Sequence, residues 1–472
     1  MNWFATDDYW IGRLVFQRML ALIYLLAFVG TAFQFRALIG SDGLTPIPAW
    51  LRRVPFRRSP SVFHLHYSDR VFALLTWLGA AISAALLVGA GDAIPLWASM
   101  LLWLVPWALY VSILNVGQVW YGFGWESLLC ETGCYAIFLG STHTAPPWLM
   151  LIALRWLLFR LEFGAGLIKI RGDSCWRDLT ALYYHHETQP MPGPLSWFFH
   201  RLPRPVHRLE VAANHVTQLV VPFLLFAPAP VSTISAAVMI VTQLWLVCSG
   251  NFSWLNWLTI TIAVSALPDS VWHGDLGLPV PAQSGSTSWF QGIVIAFAAV
   301  VLALSYWPAR NLIARRQLMN FSFNRLHLVN AYGAFGSITR TRQEVVIEGT
   351  RDAGAGLSAT WLEYEFRGKP GDPRRLPRQF APYHLRLDWM MWFLALDPYR
   401  GQVWFIPFMR RLLCSDRATL KLIRLNPFPD SPPRQVRALI YRYRFTTWAE
   451  RRETGQWWHR ELIGQMVPPM HD

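Results

Sequence analysis

The chain has 472 residues, of which 53% are hydrophobic and only 15% charged, whereas soluble domains carry about a quarter charged residues. A freely soluble globular fold is therefore excluded, and the bilayer becomes the expected solvent. The excess of 42 basic over 28 acidic residues reads as positive charge beside anionic headgroups, so no nucleic-acid partner is expected.

In chain order, Met1 to Arg13 places Asp7 and Asp8 ahead of the first apolar run and has no small-residue cleavage site, so the first helix is expected to stay in the membrane. Apolar runs long enough to span about 30 Å of hydrocarbon lie near 14–35, 71–90, 94–114, 147–170, 231–250 and 289–307. Shorter or more polar runs near 126–141, 210–227 and 253–268 bring the expectation to nine spans. The connections 36–70 and 171–208 are rich in Arg, while 91–93, 142–146, 228–230 and 269–288 have no Lys or Arg. By the positive-inside rule the Arg-rich loops face the cytoplasm and the N-terminus lies outside.

After Trp307 the pattern changes. Glu344 to Glu348, Trp361 to Phe366 and Arg437 to Phe445 alternate apolar and polar residues, the period of half-buried strands. The expected architecture is a transmembrane helical bundle over 1–307 and a soluble, mainly β domain over 308–472, on the same side as 171–208. Trp389, Trp392, Trp457 and Trp458 are too many large apolar groups for a free surface and are expected to pack on the bundle.

The run from Pro147 to Ile170 contains Arg155, Arg160, Glu162 and Lys169, and ionisable groups inside a span are costly enough to mark function. Arg155, Glu162 and Lys169 recur every seven residues and so share one helical stripe, with Gly164, Ala165 and Gly166 permitting close approach between them. Lys169 is the only lysine before Lys369. Unlike Arg, a desolvated lysine can act as a base or nucleophile, with Glu162 to tune it; the blander reading is a lysine snorkelling at a helix end. The loop that follows is dense in polar groups: Asp173, Trp176, Arg177 and Asp178, then His185, His186, Glu187 and Gln189. Glu210, Asn214 and Gln218 make a polar stripe at i, i+4, i+8 on the next helix, suited to a ligand or to interhelical hydrogen bonds. No metal is expected, because His185, His186 and Glu187 are adjacent rather than one helical turn apart. Five scattered cysteines specify neither a disulfide framework nor a zinc site. No phosphate-binding glycine loop or Gly-x-Ser-x-Gly elbow occurs, and no cofactor is specified.

Leu167-Ile168-Lys169-Ile170-Arg171-Gly172-Asp173, Cys175-Trp176-Arg177-Asp178-Leu179-Thr180 and His186-Glu187-Thr188-Gln189-Pro190-Met191-Pro192 closely resemble the signature of the lipase maturation factor family. Further blocks, Ser249-Gly250-Asn251-Phe252, Leu255-Asn256-Trp257-Leu258-Thr259, Tyr332-Gly333-Ala334-Phe335-Gly336 and Leu387-Asp388-Trp389, extend the resemblance over nearly the whole chain. It implies a multi-pass membrane protein that assists folding of a partner such as a lipase. Animal members sit in the endoplasmic reticulum with the C-terminal domain in the lumen, and a bacterial member would sit in the inner membrane. The run Phe159-Arg160 through Gly164-Ala165-Gly166-Leu167-Ile168-Lys169 is also similar to the helix bearing the catalytic lysine of vitamin K-dependent γ-glutamyl carboxylase. That likeness implies an alternative: a membrane enzyme using Lys169 as base on a lipid-soluble substrate such as a quinone. Membrane lipids are expected partners on either reading. A transporter ranks lowest, since no inverted repeat or paired broken helices are visible.

Overall fold

The computed structural model describes residues 4–272, 285–352 and 359–471. Five helices among them are long and apolar enough to cross a membrane: Trp10–Leu38, Asp69–Leu87, Leu96–Val116, Val231–Ser249 and Ser288–Ile313. Several helices begin directly after a proline, at Pro95, Pro147, Pro203 and Pro230, where a residue that cannot prolong a helix backwards fixes its start.

The remaining apolar runs form helices of other kinds. Trp148–Arg171, 24 residues, carries its ionisable groups into the bundle, where Arg155, Arg160, Glu162 and Lys169 are all buried. Gly124–Ile137 (14 residues) and Leu255–Val264 (10 residues) are short and almost wholly enclosed by protein. The run expected at 210–227 starts earlier, at Arg204, and breaks after Leu219 before Pro222.

Connections sort to two ends of the bundle. At one end lie the loops without basic residues. Asp269 accepts from the backbone N–H groups of Trp10 (3.0 Å) and Ile11 (2.7 Å), and Asp92 accepts from that of Thr142 at 3.1 Å. Residues 273–284 of the last such loop lie outside the described residues. At the other end the 171–208 connection meets the C-terminal unit. Arg342 donates to the carbonyls of Glu187 (3.0 Å) and Pro190 (3.1 Å), and Arg201 to those of Phe445 (2.8 Å) and Thr446 (2.6 Å).

The C-terminal unit holds an antiparallel sheet, β1 (Arg342–Thr350), β2 (Leu362–Glu363), β3 (Gln435–Phe445) and β4 (Trp458–Met470), in the order β2-β1-β3-β4. The expectation of a mainly β unit is corrected here. Arg386–Leu396 and Pro398–Leu413 are helices of 11 and 16 residues, so the unit is mixed. Their tryptophans, methionines and leucines follow no period of two, and the buried ones pack against the sheet and the bundle. Trp361 to Phe366 yields only the two residues of β2.

Candidate functional site

Between the bundle and the C-terminal unit lies a cavity of 1120 Å³. Its walls come from the Trp148–Arg171, Arg204–Leu219 and Val231–Ser249 helices, the 171–190 connection, the 315–339 segment and the Arg386–Leu396 helix. Aromatic and aliphatic groups dominate it, with polar groups converging on one wall, the usual composition of a binding site.

That wall is a chain of hydrogen bonds across four helices. Lys169 Nζ donates to Gln218 Oε1 at 2.8 Å and Asn214 Oδ1 at 3.3 Å, and lies 4.8 Å from the Trp176 ring centre. Gln218 Nε2 donates to Glu162 Oε2 at 3.0 Å, Gln243 Nε2 to Glu162 Oε1 at 2.7 Å, and Asn256 Nδ2 to Gln243 Oε1 at 2.7 Å. Each buried group finds its partners, so a lysine and a carboxylate persist inside the bundle. Gly166 lets the two helices touch: a Cβ there would sit 2.9 Å from the Gln218 Cβ.

The stripe expected along the helix divides in two. Glu162 and Lys169 line the cavity, but Arg155 does not: it donates to the Tyr9 hydroxyl at 3.0 Å and the Leu225 carbonyl at 3.3 Å, near the far end. Seven residues are two turns, and a helix of 24 residues carries that stripe past the cavity's edge. Arg160 also leaves the site. It pairs with the fully buried Glu131, which further accepts from the Asn330 backbone N–H (2.9 Å) and the Tyr332 hydroxyl (2.7 Å). This joins the bundle to the segment leading into the C-terminal unit.

Asp173, Trp176, His185, His186, Gln189, Glu210, Asn214 and Gln218 all line the cavity. Asp173 caps the short helix after it, accepting from the Cys175 N–H at 3.1 Å, and pairs with Arg340 at 2.8 Å. That pairing holds its carboxyl well below the usual range. Trp176 donates to the Phe335 carbonyl at 2.8 Å. Arg177 and Asp178 are exposed outside the cavity; Arg177 donates to the Ile170 and Gly172 carbonyls, closing the helix end. Glu187 also lies off the cavity, accepting from the Phe445 N–H at 2.7 Å. Burial, then the neighbouring Lys169, pushes His185 down to about 3, so it is neutral near pH 7.

Gln243, and Asn256 outside its family block, are not marked as site residues by the sequence pattern, although each is an isolated amide in an apolar run. Asn251, which the sequence marks only as part of the Ser249-Gly250-Asn251-Phe252 block, also has a structural role. It accepts from the Phe380 and Ala381 N–H groups, both at 2.9 Å, and donates to the Arg378 carbonyl at 2.9 Å, pinning the 378–381 turn to the bundle.

Fold and cavity together define a polytopic integral membrane protein whose helical bundle is capped at one end by a mixed α/β unit over an amphipathic chamber. The Lipase maturation factor transmembrane domain model matches residues 11–274, and the Lipase maturation factor C-terminal domain model matches 328–468. The chain belongs to the lipase maturation factor family. Lipase maturation factor 1 of Bos taurus is 41% identical, covering 98% of this chain and 90% of its own length, and that of Homo sapiens is 40% identical, covering 98% and 88%. Lipase maturation factor 2 of Rattus norvegicus is 28% identical, covering 97% and 83%. No solved structure matches the chain. These comparisons lend no support to the carboxylase-like alternative.

Proposed function

We propose that this protein matures a lipase client, holding it during folding or assembly at the end of the bundle where the C-terminal unit and the cavity meet. The carrying observation is that both family domains match, with relatives named for lipase maturation aligned over 98% of the chain. The cavity residues Glu162, Lys169, Asp173, Trp176, His185, His186, Gln189, Glu210, Asn214 and Gln218 are assigned to binding an apolar segment or a lipid, with Lys169 and the amides fixing its polar end. Arg155, Arg160, Arg177, Asp178 and Glu187 are assigned to holding the frame.

Nine crossings are the reading best matched to connections that alternate between two ends, with the membrane part ending near 307 and the C-terminal unit beginning at 308. A secreted client folds on the lumenal or exoplasmic side, so the C-terminal unit belongs there. The positive-inside argument from the Arg-rich loops favours the opposite, cytoplasmic side. In an animal cell the client's side is the endoplasmic reticulum lumen; in a bacterium, the outer face of the inner membrane.

Co-expression with a secreted lipase should raise active lipase per unit of lipase protein, and a photo-crosslinker at Trp392 should capture that lipase. Unchanged specific activity, with no crosslink, overturns the proposal.

A further inference from the structure

His186, on the short Leu182–Thr188 helix, is 3% exposed, yet both of its ring nitrogens lack a hydrogen-bond partner. Burying an imidazole with neither nitrogen satisfied is costly. It faces the Arg204–Leu219 helix, where His207 and Glu210 stand three residues apart on one face. His207 Nδ1 lies 3.1 Å from Glu210 Oε2, and the two histidine rings are 5.5 Å apart. One ligand atom from each of His186, His207 and Glu210 falls within 4.8 Å of the others. Around a zinc ion, with bonds of about 2.0–2.1 Å, neighbouring ligand atoms stand about 3.3 Å apart. The His207–Glu210 pair is already at that spacing, and a side-chain shift of about 1–2 Å brings in His186. The other Glu210 oxygen accepts from Trp245 Nε1 at 2.9 Å, the outer hydrogen bond that orients a carboxylate ligand.

We propose that His186, His207 and Glu210 form a divalent transition-metal site, of the zinc class, on the wall of the cavity. Two imidazoles and one carboxylate suit zinc and leave a coordination position open. The site ties the 171–208 connection to the Arg204–Leu219 helix, with His186 and Glu210 among the residues lining the chamber. It shares His186 and Glu210 with the wall assigned to binding above, but its test stands apart from that reading, since metal uptake is read without any lipase.

The full-length protein in detergent, stripped with EDTA and equilibrated with zinc chloride, should retain about one zinc per chain by elemental analysis. His186→Asn and Glu210→Gln should each weaken zinc binding by about tenfold or more. Cys248→Ser should leave it unchanged, which separates the site from that exposed thiol. Wild type, but neither His186→Asn nor Glu210→Gln, should gain thermal stability on adding zinc. Zinc-free wild type after equilibration, or full zinc content in a folded His186→Asn or Glu210→Gln variant, overturns the proposal. Should His186→Asn fail to fold, Glu210→Gln carries the test.

Discussion

Glu126 and Arg386, 260 residues apart in sequence, form an ion pair with both side chains at most 1% exposed. Glu126 also accepts from the Tyr110 hydroxyl, while the Arg386 guanidinium covers the Tyr121 ring, 3.7 Å from its centre, and donates to the Trp120 carbonyl at 2.8 Å. The pair rivets the C-terminal unit to the bundle. Removing one partner strands a buried charge, so Arg386→Met should cost about 3–5 kcal/mol, read as a large fall in melting temperature in detergent. Adding Glu126→Gln should recover part of the loss; no recovery would show that Arg386 acts through packing alone.

The same junction makes stability depend on pH. His384 Nδ1 lies 3.2 Å from Glu126, with Arg386 alongside, and burial followed by Arg386 pushes His384 down to about 4. An unfolded histidine titrates near 6.5. Since the folded value is depressed, the unfolded chain binds the extra proton first. The contribution is complete above about pH 6.5 and is lost progressively as pH falls towards 4, amounting to about 3 kcal/mol. Melting temperature should fall between pH 7.5 and 5, and His384→Gln should flatten that slope. An unaltered slope would assign the pH dependence to another group.

Gly172 should tolerate no side chain. A Cβ there would stand 2.1 Å from the Gly336 carbonyl oxygen and 2.7 Å from that of Ile168, both backbone atoms that cannot rotate away. The Asp173 N–H donates to the same Gly336 oxygen at 2.9 Å. Gly172→Ala should cost about 1–3 kcal/mol and lower the yield of folded protein. Wild-type stability in that variant would mean that the two segments can separate without penalty.

Five of the nine expected runs are helices long and apolar enough to span among the described residues, and they were legible because long, nearly uncharged apolar stretches admit few other readings. The polar wall was half legible. Helical spacing put Glu162 with Lys169, and Glu210 with Asn214 and Gln218, but spacing within one helix cannot reveal which neighbour faces it. Gln243 and Asn256 come from other helices, and His207 joins His186 from a different element. The same limit misplaced Arg155 and Arg160, whose partners Tyr9 and Glu131 lie far away in sequence. In the C-terminal unit, period two located β1 and β3, but β1 is buried at eight of its nine positions rather than half-buried, because both of its faces are covered. That period missed β4, whose edge position leaves Leu462 and Ile463 exposed, and the two helices: Arg386–Leu396 is buried on several sides, and Pro398–Leu413 buries Trp404, Phe405, Phe408, Met409, Leu412 and Leu413 along a helical stripe that a period of two does not match.

Lys169 separates anchoring from chemistry. Its ammonium donates to the oxygens of Gln218 and Asn214, and Gln218 in turn holds Glu162. Lys169→Ala leaves both amide oxygens without that donor and Glu162 without its nearby cation, so it should cost about 1–3 kcal/mol and reduce lipase maturation together with folded yield. Lys169→Arg keeps the charge and the donors, and a guanidinium can also lie against the Trp176 ring. If the residue orders the cavity wall, Lys169→Arg should mature lipase within about threefold of wild type, a change worth less than about 1 kcal/mol. A Lys169→Arg protein that folds, melts like wild type and still captures the lipase, yet yields no active enzyme, would sink this reading. It would instead require a lysine able to give up its proton, which guanidinium cannot do.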